Sequence, residues 1–215
     1  MDTEADSCLS RISDYDTVCA VAIETNVGAD EYTKQLSKST RQNLRTALNR
    51  MNKAGLNYRY TVIKGPLPVE LSDELIALHG KRVVHKNADN SNLKKRISSF
   101  IRQRKVSYQE HNNNIVKDAM LSLDNSVTVI VYLNDKVAGY LYGVDDRGTI
   151  RIMHNCFDEE YAFYSPMFRG SYDFIIECCN NPDIKCVDFT RGKEEYKYKL
   201  GGKEMELHTY KIMCD

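Results

Sequence analysis

The spacing of apolar and polar positions changes several times along the chain. Val18 to Ile23 is a short apolar run suited to a strand, and Asp30 to Ala54 has helical periodicity with Gly55 as its stop. Asn57 to Ile63 is strand-like. Leu71, Leu75, Leu78 and Val83 recur at helical spacing, Leu93, Ile97, Phe100, Ile101 and Arg104 predict another helix, and Ile115, Ala119, Met120 and Leu123 one more. The period then shortens. Val127 to Leu133 is almost continuously apolar, the pattern of a strand buried on both faces, and Asn134-Asp135 is a tight turn into Val137 to Val144.

A second turn at Asp145 to Gly148 leads into Thr149 to Phe157. Simple alternation there places Ile150, Ile152, His154 and Cys156 on one face and Arg151, Met153 and Asn155 on the other. Ser165 is positioned to cap a helix with Pro166 at its first residue and Phe168, Tyr172, Ile175, Ile176 and Cys179 as its apolar stripe. Asn180 to Asp183 ends that helix, and Ile184 to Thr190 and Glu204 to Met213 read as two last strands. Helices, an antiparallel meander, a helix and two strands predict an α+β class: a mixed α/β sheet, mostly antiparallel, with helices on both faces.

The chain has 215 residues, and no linker or repeat interrupts it after a polar, acidic start. Residues 1–16 read as a flexible tail and 17–215 as a single domain. Lys plus Arg and Asp plus Glu both number 30, so no net field gathers nucleic acid or an anionic membrane, and an anion site has to be local. No run approaches the roughly 20 apolar residues that span a bilayer. Seven cysteines, none paired at metal-ligand spacing and most within apolar runs, read as reduced core thiols. No metal is expected, and the expected location is cytoplasmic.

Four places could carry chemistry or binding. The helix starting at Pro166 has first-turn N–H groups without intrahelical partners and the positive end of a helix dipole, which can hold an anion. Arg169, in the first turn and a half, is repelled by that dipole unless something negative such as a phosphate lies there, and the alternative is a solvated arginine at a helix end. At a strand end, Asp188 enters an apolar face and needs a partner, either Arg191 or a group on a neighbouring strand, whether for structure or for catalysis. His154, among isoleucines, is either a satisfied core histidine or a general base. Lys34, Lys38, Arg41 and Arg45 line one helix face, which is either solvated or binds nucleic acid or a carrier.

Several segments taken together resemble the cellulose-biosynthesis-type acetyltransferase domains of the GNAT acyltransferase superfamily. Val187 to Lys197, with Asp188-Phe189-Thr190-Arg191-Gly192 followed by Glu194 and Tyr196-Lys197, resembles that family's strand-end pattern. Tyr164-Ser165-Pro166 resembles the opening of its helix after the long strand. Lys136 to Tyr140, the basic stretch Leu36 to Arg41 with Leu44-Arg45, and Leu78-His79 with Arg82 also fit, so the likeness runs from about Cys19 to Tyr210. Met167 stands where the family prefers glycine, and Lys193 where it has an acidic residue.

The resemblance implies an N-acyltransferase that moves an acyl group, in the first instance acetyl, from acyl-coenzyme A to an amine of a small molecule, sugar nucleotide or peptide. It implies pyrophosphate near Ser165, Pro166, Met167, Arg169 and Gly170, with Asp188, Arg191 and Tyr196 bordering the acceptor side and His154 as candidate base. Two alternatives share the fold. One is a Fem-type transferase using aminoacyl-tRNA. The other is a degenerate domain acting as a binding module in polysaccharide biosynthesis.

Overall fold

A computed structural model describes residues 9–11, 18–89, 112–207 and 210–212. In chain order these form β1 (Leu9–Arg11), β2 (Val18–Glu24), α1 (Ala29–Gln35), α2 (Lys38–Lys53), β3 (Tyr58–Lys64), α3 (Val69–Asp89), α4 (112–122), β4 (Ser126–Leu133), β5 (Lys136–Asp146) and β6 (Thr149–Phe157). A 3-10 turn (Glu159–Tyr164) leads to α5 (Pro166–Cys179), β7 (Cys186–Arg191), α6 (Glu195–Lys199), β8 (Lys203–Leu207) and β9 (Tyr210–Ile212). The expected helix around Leu93 to Arg104 lies outside the described residues.

Seven strands form one mixed sheet in the order β3-β4-β5-β6-β7-β2-β8, and β1 pairs with β9 in a separate two-stranded ribbon. Leu9–Arg11, within the segment read as a tail, is therefore placed in a strand. The β3-β4-β5-β6 run is an antiparallel meander, and Asn134 and Asp135 turn β4 into β5 with φ of 50° and 64°, the left-handed pair a two-residue hairpin needs. The β6–β7 pairing is parallel, as the α5 crossover between them requires.

Helices cover both faces. Tyr32 of α1 with Leu36 just beyond it, Leu44 of α2, and Phe174 and Ile175 of α5 bury one face with Val129, Leu141, Ile150 and Ile152. Leu75 and Leu78 of α3 and Met120 of α4 bury the other with Ile130, Tyr140, Tyr142 and Cys156. Cys156, Cys178, Cys179 and Cys186 are free thiols, and burial raises the pKa of each.

The structure corrects four expectations. The helix predicted over Asp30 to Ala54 is two helices: Leu36 is extended, and the Ser37 hydroxyl accepts the Thr40 N–H at 3.0 Å, starting α2 afresh. That break divides the basic face. Lys34 is on α1, and the Arg41 guanidinium donates to the Lys34 carbonyl at 3.0 Å and to the Leu36 carbonyl, so Arg41 closes the end of α1. Secondly, Ser165 sits at the start of α5 with φ 50° and ψ 48° and makes no side-chain cap bond. Thirdly, the strand read over Glu204 to Met213 is divided between β8 and β9, and α6 lies in a stretch read without helix.

The fourth correction concerns β6. The β5–β6 register pairs Gly143 with Ile152 and Tyr142 with His154, so Met153 is an extra residue, a β-bulge. A bulge moves everything beyond it to the opposite face. Ile150 and Ile152 pack toward α5, whereas Cys156 joins the α3–α4 side and His154 stacks on Tyr140 there. Asn155 takes the place His154 would leave on the α5 side, opposite Leu141.

Candidate functional site

β6 and β7 pair only at Thr149 with Cys186, Ile150 with Val187 and Arg151 with Asp188. A last tie is the Thr190 hydroxyl, which donates to the Ile152 carbonyl at 2.9 Å. Beyond it the strands separate, and both are bulged at that level. β6 carries the extra Met153, and β7 fits two residues, Phe189 and Thr190, against the single Val21 of β2. Thr190 has φ 54°, a left-handed conformation that costs a β-branched residue energy and that recurs at functional turns. The bulge in β6 demands space on β5: a Cβ on Gly143 would collide with the Arg151 carbonyl oxygen and sit 2.9 Å from its carbon.

A cavity of about 610 Å³ opens along the separated part of β6. Asn155, Cys156 and Phe157 of β6, the start of α5 from Ser165 to Phe168, Tyr196 with Glu194, and His79 with Arg82 of α3 form its walls. Part of β6 thus presents main-chain groups without a β7 partner to a space bounded by a helix N-terminus.

At that N-terminus Pro166 has no N–H to satisfy, and the first intrahelical bond runs from the Arg169 N–H to the Ser165 carbonyl at 3.2 Å. The N–H groups of Met167 and Phe168 precede it and have no helical acceptor. The Met167 side chain packs across the sheet, with its Cγ 2.5 Å from where a Cβ on Gly139 would stand. Gly170 faces the sheet, where a Cβ would collide with Val131, so its smallness serves helix-to-strand packing. Arg169 is not in the cavity wall. Asp173, one turn on, takes its guanidinium at 2.9 and 2.8 Å, and the Tyr58 hydroxyl donates to the same carboxylate at 2.7 Å. The negative group that Arg169 needs is thus supplied internally.

The β7 end is built around a buried ammonium. Lys197, 2% exposed, donates through Nζ to the carbonyls of Phe189 at 2.9 Å, Arg191 at 2.7 Å and Gly192 at 3.1 Å, and pairs with Glu194 at 2.9 Å. Gly192 has φ 99°, which glycine supplies without strain. This cage fixes the turn that puts Tyr196 on the cavity. Its ring meets Phe189 edge-on, and Asn155 donates to its hydroxyl at 3.4 Å. Burial, with Glu194 beside it, pushes the phenol up to about 12, so it keeps its proton at neutral pH.

Asp188 is not paired with Arg191. Its carboxylate accepts the Thr190 N–H at 2.7 Å and lies 3.8 Å from Arg151 on β6, a neighbouring-strand partner, while the Arg191 side chain is exposed. The register places Arg151 directly beside Asp188, and Arg191 falls beyond the β7 bulge.

His154 is outside the cavity wall. Its Nδ1 is 2.9 Å from the Tyr140 hydroxyl, and burial, followed by His79 and Arg82, lowers its pKa to about 4. The histidine in the wall is His79, whose ring meets that of His154 at 4.3 Å. On sequence Asn155 was given no role and His79 entered only through the family resemblance, although Gly143 inside an apolar strand is a sign of a bulge opposite it. Among the described residues no group of acidic, cysteine and histidine side chains could hold a metal ion, and no helix is long and apolar enough to cross a membrane.

This layout, with two bulged strands parting beside a helix N-terminus, accords with comparison to known families. Residues 38–198, most of the chain, match the acetyltransferase (GNAT) domain family. The chain belongs to that family. No curated protein sequence matches it.

Among solved structures, a conserved protein of unknown function from Bacteroides thetaiotaomicron is similar over 94% of this chain and 62% of its own, at 13% identity and a TM-score of 0.55. The C-terminal domain of a protein assigned as a lysylphosphatidylglycerol synthetase from Agrobacterium fabrum is similar over 96% of this chain and 61% of its own, at 11% identity and a TM-score of 0.58. At these identities the likeness is one of fold. The chain spans about three-fifths of the length of these structures.

Proposed function

We propose that this domain is an N-acyltransferase that takes an acyl group, acetyl in the simplest case, from coenzyme A and gives it to an amine of a small molecule, sugar nucleotide or peptide. The observation that carries this reading is the parting of β6 from β7 after Arg151 and Asp188, which leaves a walled cavity along strand edge that has lost its partner. A pantetheine arm is long, thin and amide-bearing, so unpaired main-chain donors and acceptors on a strand edge suit it. The free N–H groups of Met167 and Phe168 and the α5 dipole suit a pyrophosphate at the same mouth. Met167 does not oppose this, because its side chain is directed to Gly139.

Tyr196 supplies an O–H donor toward sulfur as negative charge develops there. A phenol held near 12 does not ionise first. Asn155, within reach of the Tyr196 oxygen, holds the donor in place. Asp188 and Lys197 act on the turn that bears Tyr196, through Thr190 and the carbonyl cage respectively.

Calorimetric titration of the protein with coenzyme A and acetyl-coenzyme A tests the reading. Saturable binding to one site is expected. Absence of binding up to millimolar ligand, with the fold intact by circular dichroism, refutes it and leaves the aminoacyl-tRNA and binding-module readings.

A further inference from the structure

The α3 wall of the cavity contains a histidine for which the proposed reaction has so far had no use. His79 Nδ1 is 2.9 Å from the Asn113 Oδ1 of α4. An amide oxygen can only accept, so Nδ1 carries the proton in the neutral ring and the lone pair is left on Nε2. We propose that His79 is the general base that takes the proton from the acceptor ammonium, with Asn113 as the positioning residue that fixes its tautomer. The assignment rests on the acyl-transfer reading above.

His79, and not His154, is placed for this. Both rings lie in one half-buried polar group, but Tyr140 occupies Nδ1 of His154, and only His79 forms part of the wall shared with Tyr196 and the α5 start. The groups facing His79 come from several elements. Arg82 lies one turn on along α3, its guanidinium 4.0 Å over the Phe157 ring and its Nε 3.1 Å from Glu159. His154 of β6 stands edge-on at 4.3 Å with Tyr140 of β5 behind it, and Asn113 comes from α4.

Burial lowers the His79 pKa below 6.5, Arg82 adds to this, and the Asn113 hydrogen bond opposes it. A group lowered in this way is neutral at pH 7 and able to accept a proton.

The step balances as follows. The ammonium gives one proton to Nε2, and the freed amine forms a C–N bond to the thioester carbonyl carbon as the C–S bond breaks. The second nitrogen proton ends on the departing sulfur, by way of the Tyr196 hydroxyl, and His79 returns its own to solvent. The products are an amide, a thiol and one released proton.

Imidazole nitrogen NMR on the whole chain tests the base without any acceptor. The expected result is an Nδ1–H tautomer of His79 that titrates below 6.5. Asn113→Asp should raise that titration, because a carboxylate favours the imidazolium. The acid limb of kcat/KM for acetyl-coenzyme A with a panel of primary amines should move to higher pH with it.

His79→Gln should cut turnover at pH 7 by about 10²-fold or more and abolish that limb, with coenzyme A affinity unchanged by calorimetry. An Nε2–H tautomer, or a His79→Gln enzyme with parental turnover, overturns this assignment alone. A parent protein that binds no coenzyme A overturns the acyl-transfer reading, and this assignment falls with it.

Discussion

Lys197→Met is the perturbation whose consequence the structure specifies most fully. The parent ammonium is almost wholly buried, and three main-chain carbonyls within 2.7 to 3.1 Å accept from it. Methionine replaces the aliphatic stem but not the terminal nitrogen, so the change removes charge and donors and little packing. Each hydrogen bond to a charged group contributes about 1.5 to 3 kcal/mol, and the ammonium's own desolvation offsets part of the sum. Glu194 adds little, because that carboxylate is 57% exposed. We expect a net loss of about 3 kcal/mol, with carbonyls of a tight turn left short of donors.

For a chain of this size that corresponds to a fall of about 6 to 12 °C in Tm. Thermal melting by circular dichroism is the assay. Lys193→Met is the control, since the Lys193–Glu204 pair at 2.7 Å is on the surface and should change stability by no more than about 1 kcal/mol. Lys197→Arg should also destabilise, because a planar fork does not match three carbonyls converging on one nitrogen. A Lys197→Met protein that melts within about 2 °C of the parent would refute the cage as the element that holds the turn.

Tyr196→Phe should leave melting unchanged, because the ring still meets Phe189, while thiol release from acetyl-coenzyme A falls by about 10²-fold; full turnover would remove the phenol from the reaction. Gly143→Ala should cost at least about 2 kcal/mol, since the new methyl meets the Arg151 carbonyl across the bulge, and denaturant unfolding would show it. Arg169→Ala should lower stability by about 2 kcal/mol, by leaving Asp173 with Tyr58 alone, and should leave coenzyme A affinity within about threefold; a large loss of affinity with unchanged melting would place Arg169 at the cofactor after all.

Apolar periodicity determined a good deal without any tertiary information. The continuous run at Val127 to Leu133, the Asn134-Asp135 turn and the alternation after Gly148 specify a buried antiparallel meander, because each of these is a local rule of backbone and burial. Pro166 fixed the start of α5 in the same way, by lacking an N–H where none is needed. The Asp188 to Lys197 segment was legible as a strand end followed by a turn, and Tyr196 lies in the cavity wall.

Tertiary structure alone decided which face each site residue takes. Pattern assumes an unbroken period of two, and the single extra residue at Met153 reverses His154 and Asn155, exchanging a candidate base for an amide on the cavity side. The bulge at Phe189-Thr190 likewise gives Asp188 to Arg151, a partner 37 residues distant in sequence that only the parallel β6–β7 register brings near. Arg169 and Asp173 are an i,i+4 pair within α5 that local spacing allows, but Tyr58 of β3 joins them, and Asn113 of α4 meets His79 of α3, only through packing on the sheet. A sequence states which groups are available and which are confined to a core. Which of them meet follows from register and helix rotation, and these are fixed by the burial of the whole sheet at once.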